Sequence, residues 1–174
     1  AVVGDGWQGA MLAPTEILAE QHAATLRELL HPLGVRVELV TGGTSSGDKR
    51  SIWRDVERGA VNVVVGTHAI IQRSARFARL NLAIVDEQHR FGVQQRNEIR
   101  SKGYNPHLLA MTATPIPRTL ALTVYGDLDV SVLRELPGER KPVKTSFIPV
   151  DRRADAYSFI KRELAAGRQA FIIF

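Results

Sequence analysis

Five short apolar runs recur along the chain, each bounded by glycine, proline, polar or charged residues. They are Ala10–Ala13, Val35–Val40, Val61–Val65, Leu82–Val85 and Leu108–Met111. Val35–Val40 alternates with polar residues, and the others are nearly continuous. Short continuous runs predict strands buried on both faces, as in a parallel sheet. Helical periodicity fills the gaps. After Thr15, whose hydroxyl suits an N-cap, Ile17, Leu18, Ala24, Leu29 and Leu30 fall roughly at helical spacing and predict a helix through Leu30. Asp48 is the expected cap of a second helix carrying Ile52 and Val56. Gln94–Arg100 and Arg118–Val124 read as shorter helices. Strand alternating with helix predicts an α/β fold, a doubly wound parallel sheet flanked by helices.

Two prolines and a glycine among charges interrupt this pattern at Leu136–Pro142, as a linker does. Beyond it, Thr145–Val150 reads as a strand, Arg152–Ala166 as a helix and Gln169–Phe174 as a strand. The expected organisation is a first domain over 1–136, a linker over 137–143 and the start of a second, truncated domain over 144–174. Arg134, Arg140, Lys141, Lys144, Arg152 and Arg153 outnumber Glu135, Glu139 and Asp151 around that linker, which suits a solvated segment at least as well as a binding patch.

Composition narrows the chemistry. The 174 residues are 44% hydrophobic and 24% charged, as in an ordinary globular protein. The absence of cysteine excludes a disulfide scaffold, a thiolate zinc site and a cysteine nucleophile. Apolar runs of about six residues are far short of a membrane span, and no basic leader opens the chain. A cytoplasmic protein without a membrane partner is expected. Lys plus Arg exceed Asp plus Glu by 23 to 18, a net +5 that permits a nucleic-acid partner without requiring one. The five histidines, His22, His31, His68, His89 and His107, show no ligand spacing.

Two glycine-rich strings fail as phosphate loops. Gly4–Gly9 matches GxGxxG literally, but a strand rather than a helix is expected after it. In Gly42–Lys49, Asp48 separates the second glycine from the lysine, where its carboxylate opposes a triphosphate. A loop that caps the next helix explains it better, and its backbone amides suit a nucleic-acid phosphate.

Asp86-Glu87-Gln88-His89 is the sharpest signal. It follows a buried strand, at the end where open α/β sheets bind ligands. Asp86 there suits Mg²⁺, and Glu87 suits activation of an attacking water. Thr112 and Thr114 end the next strand and are expected beside the acidic pair; Thr114 with Pro115 also suits a helix start. Pro14-Thr15-Glu16 and Gly66-Thr67-His68 each follow a strand and open a helix, presenting amides to anions.

Read together, these strings resemble the conserved motifs of superfamily-two helicases. Ala13–His22 is similar to motif Ia, Gly66–Gln72 to motif Ib, Asp86–Val93 to motif II (the Walker B box) and Met111–Thr119 to motif III. The set looks like the RecG-like branch, to which Tyr125–Ser131 and Glu135–Pro137 also correspond. The resemblance implies a RecA-like fold and an ATP-dependent DNA helicase that reverses forks and branch-migrates Holliday junctions in recombination and repair, using ATP and Mg²⁺ and acting as a monomer. It implies that Asp86 holds Mg²⁺, that Glu87 activates water, and that Gln88, His89, Thr112, Ala113 and Thr114 couple nucleotide to DNA. It places Pro14, Thr15, Glu16, Thr41, Gly42, Gly66, Thr67 and His68 on the DNA. The family's phosphate loop, expected before motif Ia, is not among these residues, and Pro137–Arg140 is less basic than the family's linker. A helicase fragment, inactive as the isolated chain, is therefore expected. The alternatives are an Mfd-like transcription-repair coupling translocase and a non-catalytic DNA-binding module.

Overall fold

The structure, a computed structural model, describes residues 5–88, 91, 93–113, 129–133, 135 and 143–173. The chain divides into two compact units, Ala1–Gly126 and Asp127–Phe174.

The first unit holds five strands, β1 (Gln8–Leu12), β2 (Val37–Val40), β3 (Val63–Gly66), β4 (Leu80–Val85) and β5 (His107–Ala110). All adjacent pairs are parallel, in the order β2-β3-β1-β4-β5. Helices α1 (Glu16–Leu30), α2 (Ser46–Glu57) and α3 (Val93–Arg100) lie between them in the chain. The expected α/β sheet is present, and each apolar run forms a strand within about two residues of its expected bounds.

Strand alternation explains why both faces are apolar. Met11, Val63 and Val65 face one way and meet Ala19 and Ala23 of α1, with Leu18, Leu26 and Leu30 at the margin. Ala10, Leu12, Val64, Ala83 and Val85 face the other way and meet Val56 of α2, Ile99 of α3 and Phe91 two residues before α3. β1 at the sheet centre is buried along its whole length.

Gln8 is the polar exception. Its amide nitrogen donates to the Val56 and Val61 carbonyls, both at 2.8 Å, and its oxygen accepts from the Arg79 amide at 2.9 Å. The side chain thereby satisfies the backbone where α2 turns into β3 and where β4 begins.

The helix starts follow cap chemistry with one correction. Thr15 caps α1, its hydroxyl accepting from the Leu18 amide. The cap of α2 is Ser45 rather than Asp48: the Ser45 hydroxyl accepts from the Asp48 amide at 3.1 Å and donates to the Asp48 carboxylate at 2.7 Å. Asp48 lies in the first turn, where its charge suits the helix dipole. The residues after the Gly4–Gly9 string form strand β1, so no helix opens there to receive a dinucleotide. The expected helix over 118–124 lies outside the described residues.

In the second unit one helix, α4 (Arg153–Ala165), matches expectation. The expected strands do not form: 145–149 and 169–173 are irregular among the described residues, and Val150–Arg152 is a 3-10 turn. A strand needs an edge to pair with, and the described residues of this unit provide none. Arg168 folds back to pair with Glu163, its Nη2 donating at 2.9 Å. That hydrogen bond holds the Glu163 carboxyl below the usual carboxylate range. The expected linker lies almost wholly outside the described residues.

Candidate functional site

Register brings the candidate residues to one edge. Val40, Gly66, Leu12, Val85 and Ala110 align across the five strands. The ladder continues one step: the Ala13 amide donates to Gly66, Asp86 to Leu12 and Met111 to Val85. Thr41, Thr67, Ala13, Asp86 and Met111 therefore form the next row, at the carboxyl ends of the strands, about 4.8 Å from one strand to the next.

Asp86 and Glu87 turn off the end of β4. The Asp86 Oδ1 accepts from the Glu87 amide at 2.9 Å, and its Oδ2 lies 2.7 Å from His22 Nε2 of α1. Glu87 has φ 47°, in the left-handed region that side chains seldom adopt. The tight turn throws its carboxylate toward β5, where Oε2 accepts from the Ala113 amide at 3.4 Å. Gln88 is buried, and its amide donates to the Met111 carbonyl at 3.0 Å. Asp86, Glu87, Gln88, Thr112 and Ala113 are thus brought together across β4 and β5. His89 and Thr114 lie outside the described residues.

A second group forms over β1, β2 and β3. Glu16, in the first turn of α1, accepts the Gly43 amide at 3.2 Å through Oε1. A Cβ on Gly42 would sit 2.7 Å from that oxygen, the flexible tip of the Glu16 side chain, which would have to move aside. The Gly42 carbonyl accepts from Lys49 Nζ at 3.0 Å, and the Thr41 amide donates to the Thr44 hydroxyl at 3.0 Å. Pro14, Thr15, Glu16, Thr41 and Gly42 are therefore neighbours, tied by these bonds. Thr41 itself is buried. Gly66 and Thr67 follow on β3. His68 opens a short 3-10 helix, His68–Ile70, and lies 2.6 Å from Gln95 of α3 with its ring near Phe91. It leans toward α3 rather than toward Thr41.

Reading the sequence missed two contacts, His22 on Asp86 and Glu16 on Gly43. His22 had one signal. Leu18, His22 and Leu26 recur every four residues on α1, which places a histidine in the stripe beside the core.

The donor set is oxygen-rich: two carboxylates after β4 and the Thr112 hydroxyl after β5. Hard oxygens suit Mg²⁺. Among the described residues no cluster of three or more His, Cys, Asp or Glu side chains could hold a metal ion alone. Mg²⁺ commonly binds through one or two carboxylates together with a nucleotide's phosphates. Asp86 and Glu87 fit such a group.

Comparison with known proteins identifies the family. The DEAD/DEAH box helicase family pattern matches residues 3–123. The chain is 51% identical over its whole length to the ATP-dependent DNA helicase RecG of Synechocystis sp., of which it covers 21%. It is 47% identical over 99% of its length to RecG of Bacillus subtilis, covering 25% of that protein. The chain spans about a fifth to a quarter of these relatives. A solved structure of RecG bound to a three-way DNA junction matches 97% of the chain at 43% identity with a TM-score of 0.77, covering 22% of that protein. Mycobacterium smegmatis Lhr bound to single-stranded DNA and AMP-PNP shares the fold at 16% identity, with a TM-score of 0.51 over 59% of this chain. The sheet order, the acidic turn after β4 and these matches lead to one conclusion: the chain belongs to the DEAD/DEAH box helicase family, and its sequence is of the RecG type.

Proposed function

We propose that this chain forms part of the motor of an ATP-dependent DNA helicase that remodels forked and three-way-junction DNA. The observation that carries the reading is the common row, which sets an acidic turn on β4 beside amide-rich turns on β1, β2 and β3. RecG, the relative solved on a junction, supports the choice of DNA structure. The charge of +5 and the strand-end amides suit a phosphate backbone.

In this reading Asp86 would hold the Mg²⁺ of MgATP, which when bound would supply charge withdrawal from the terminal phosphate. Glu87 orients a water against the terminal phosphorus and takes its proton as the new P–O bond forms and the bond to the departing diphosphate breaks. Gln88 and the Thr112–Ala113 turn, hydrogen-bonded across β4 and β5, register the change. Thr15, Gly42 and Thr67 meet DNA phosphates, buried Thr41 and Gly66 shape the row behind them, and Glu16 orients the Gly42–Gly43 turn. On the same reading the protein works in the cytoplasm as a monomer. No described helix is long and apolar enough to cross a membrane.

The test uses the full-length protein that carries this chain. Hydrolysis of ATP should rise on adding a three-way junction, the junction should unwind, and junction affinity should fall linearly with salt on logarithmic axes. Hydrolysis indifferent to DNA, or binding indifferent to salt, overturns the reading.

A further inference from the structure

We propose that His22 is a positioning residue for the Asp86 carboxylate, and that through it α1 ties the nucleotide side of the motor to the DNA side. The inference rests on the functional reading above, and its evidence is the geometry of α1.

Both oxygens of Asp86 are held. Oδ1 takes the Glu87 amide, a bond local to the turn, while Oδ2 meets His22 Nε2 at 2.7 Å from 64 residues away. A carboxylate offers only acceptors, so Nε2 carries the hydrogen. The ring cannot follow the carboxylate freely. Its neighbours on the helix, Ala19 and Ala23, are fully buried against β1 and β3, and Leu18 and Leu26 flank it on the same stripe. The two side chains are 29% and 18% exposed, so the pair is part-buried and a share in stability is separated from positioning by the melting temperature in the test below. The positioning role follows from the carboxylate's task, because a metal-binding carboxylate acts only in a defined direction.

The same helix begins at the other group of residues. Thr15 caps it, and Glu16 in its first turn holds the Gly43 amide. From Thr15 to His22 is two helical turns, about 10 Å along a rigid rod. A shift of the α1 start on the DNA-facing row is delivered to Oδ2 of Asp86 without passing through the sheet.

The full-length protein carrying this chain provides the test, as wild type, His22→Ala and His22→Gln. Glutamine presents an amide N–H at similar reach. His22→Ala should lower kcat for DNA-stimulated ATP hydrolysis about tenfold and raise the Mg²⁺ concentration for half-maximal rate, as loss of a partner to a metal-binding group does. Junction affinity and melting temperature should stay close to wild type, and His22→Gln should recover most of the rate. Unchanged turnover and Mg²⁺ dependence in His22→Ala overturns the inference alone. So does a loss of rate matched by equal losses of DNA affinity and thermal stability. A parent protein whose hydrolysis ignores DNA overturns the functional reading and this inference together.

Discussion

Gly66 at the end of β3 approaches Val40 at the end of β2 so closely that a Cβ on Gly66 would sit 2.1 Å from the Val40 carbonyl oxygen. The same Cβ would meet Ile70 Cγ2 at 2.8 Å. Backbone, not a flexible side-chain tip, stands in the way. Gly66→Ala should therefore part β2 from β3 and cost about 1–3 kcal/mol, as overpacking does. A chemical denaturation curve of this chain checks it, and an unshifted midpoint would contradict the close approach.

Gln8 should prove as important to stability as any core aliphatic. Its amide serves three backbone groups in a buried site. Gln8→Leu keeps the volume and strands those groups, for an expected loss of about 2–4 kcal/mol. Urea unfolding of the two forms would measure it. A difference below about 1 kcal/mol would mean that water replaces the amide.

Glu87→Gln in the full-length protein should keep nucleotide binding and lower hydrolysis by about 10²–10⁴-fold, the usual share of a general base. Equilibrium binding of a fluorescent nucleotide and steady-state turnover separate the two effects. Undiminished turnover removes the proton-accepting role from Glu87.

Glu16 faces two opposing effects. Its carboxylate opposes DNA phosphate by charge yet orders the Gly42–Gly43 turn through the Gly43 amide. One such hydrogen bond is worth about 0.5–1.5 kcal/mol, while an exposed charge is screened within about 10 Å at ordinary salt. Order should win. Glu16→Ala should weaken binding of a forked duplex severalfold, read by fluorescence anisotropy. Tighter binding would show that repulsion dominates.

Lys102 carries a pH prediction for the fold. Its ammonium donates to the Gln72 carbonyl, and burial holds its pKa below the ordinary lysine value; nearby Arg76 acts in the same direction and Glu98 opposes. The folded chain thus binds fewer protons than the unfolded chain between the lowered and the ordinary pKa. Stability must rise with pH across that window. The penalty for charging Lys102 is full below the folded pKa and gone above the unfolded one. The unfolding free energy of wild type minus that of Lys102→Met should therefore shift toward wild type as pH climbs into the lysine range. A pH-independent difference would mean that the ammonium is as well solvated folded as unfolded.

How much of this was legible in sequence depends on range. Strands β1, β3 and β4 announced themselves because burial on two faces leaves continuous apolar runs, and Thr15 announced α1 because a cap is a local hydrogen bond. Ser45 was missed in favour of Asp48 because both offer an oxygen and they lie three residues apart, less than one helical turn. The strand readings at 145–150 and 169–174 failed because apolar spacing marks a face without supplying an edge to pair with. Asp86 and Glu87 were legible as an acidic pair ending a strand. That Asp86 meets His22 was not, because the contact joins residues 64 apart and follows from how α1 lies on the sheet.

The backbone of Glu87 sets heat resistance against chemistry. At φ 47° a side chain costs about 1 kcal/mol or more that glycine would not. A library screened only for survival of heating should enrich glycine at position 87, together with other changes that relax the turn after β4. Such winners would be sturdier proteins without the carboxylate to which the proposed function assigns water activation. Selection for robustness at this position should therefore be paired with selection for turnover, because there the two goals favour different residues.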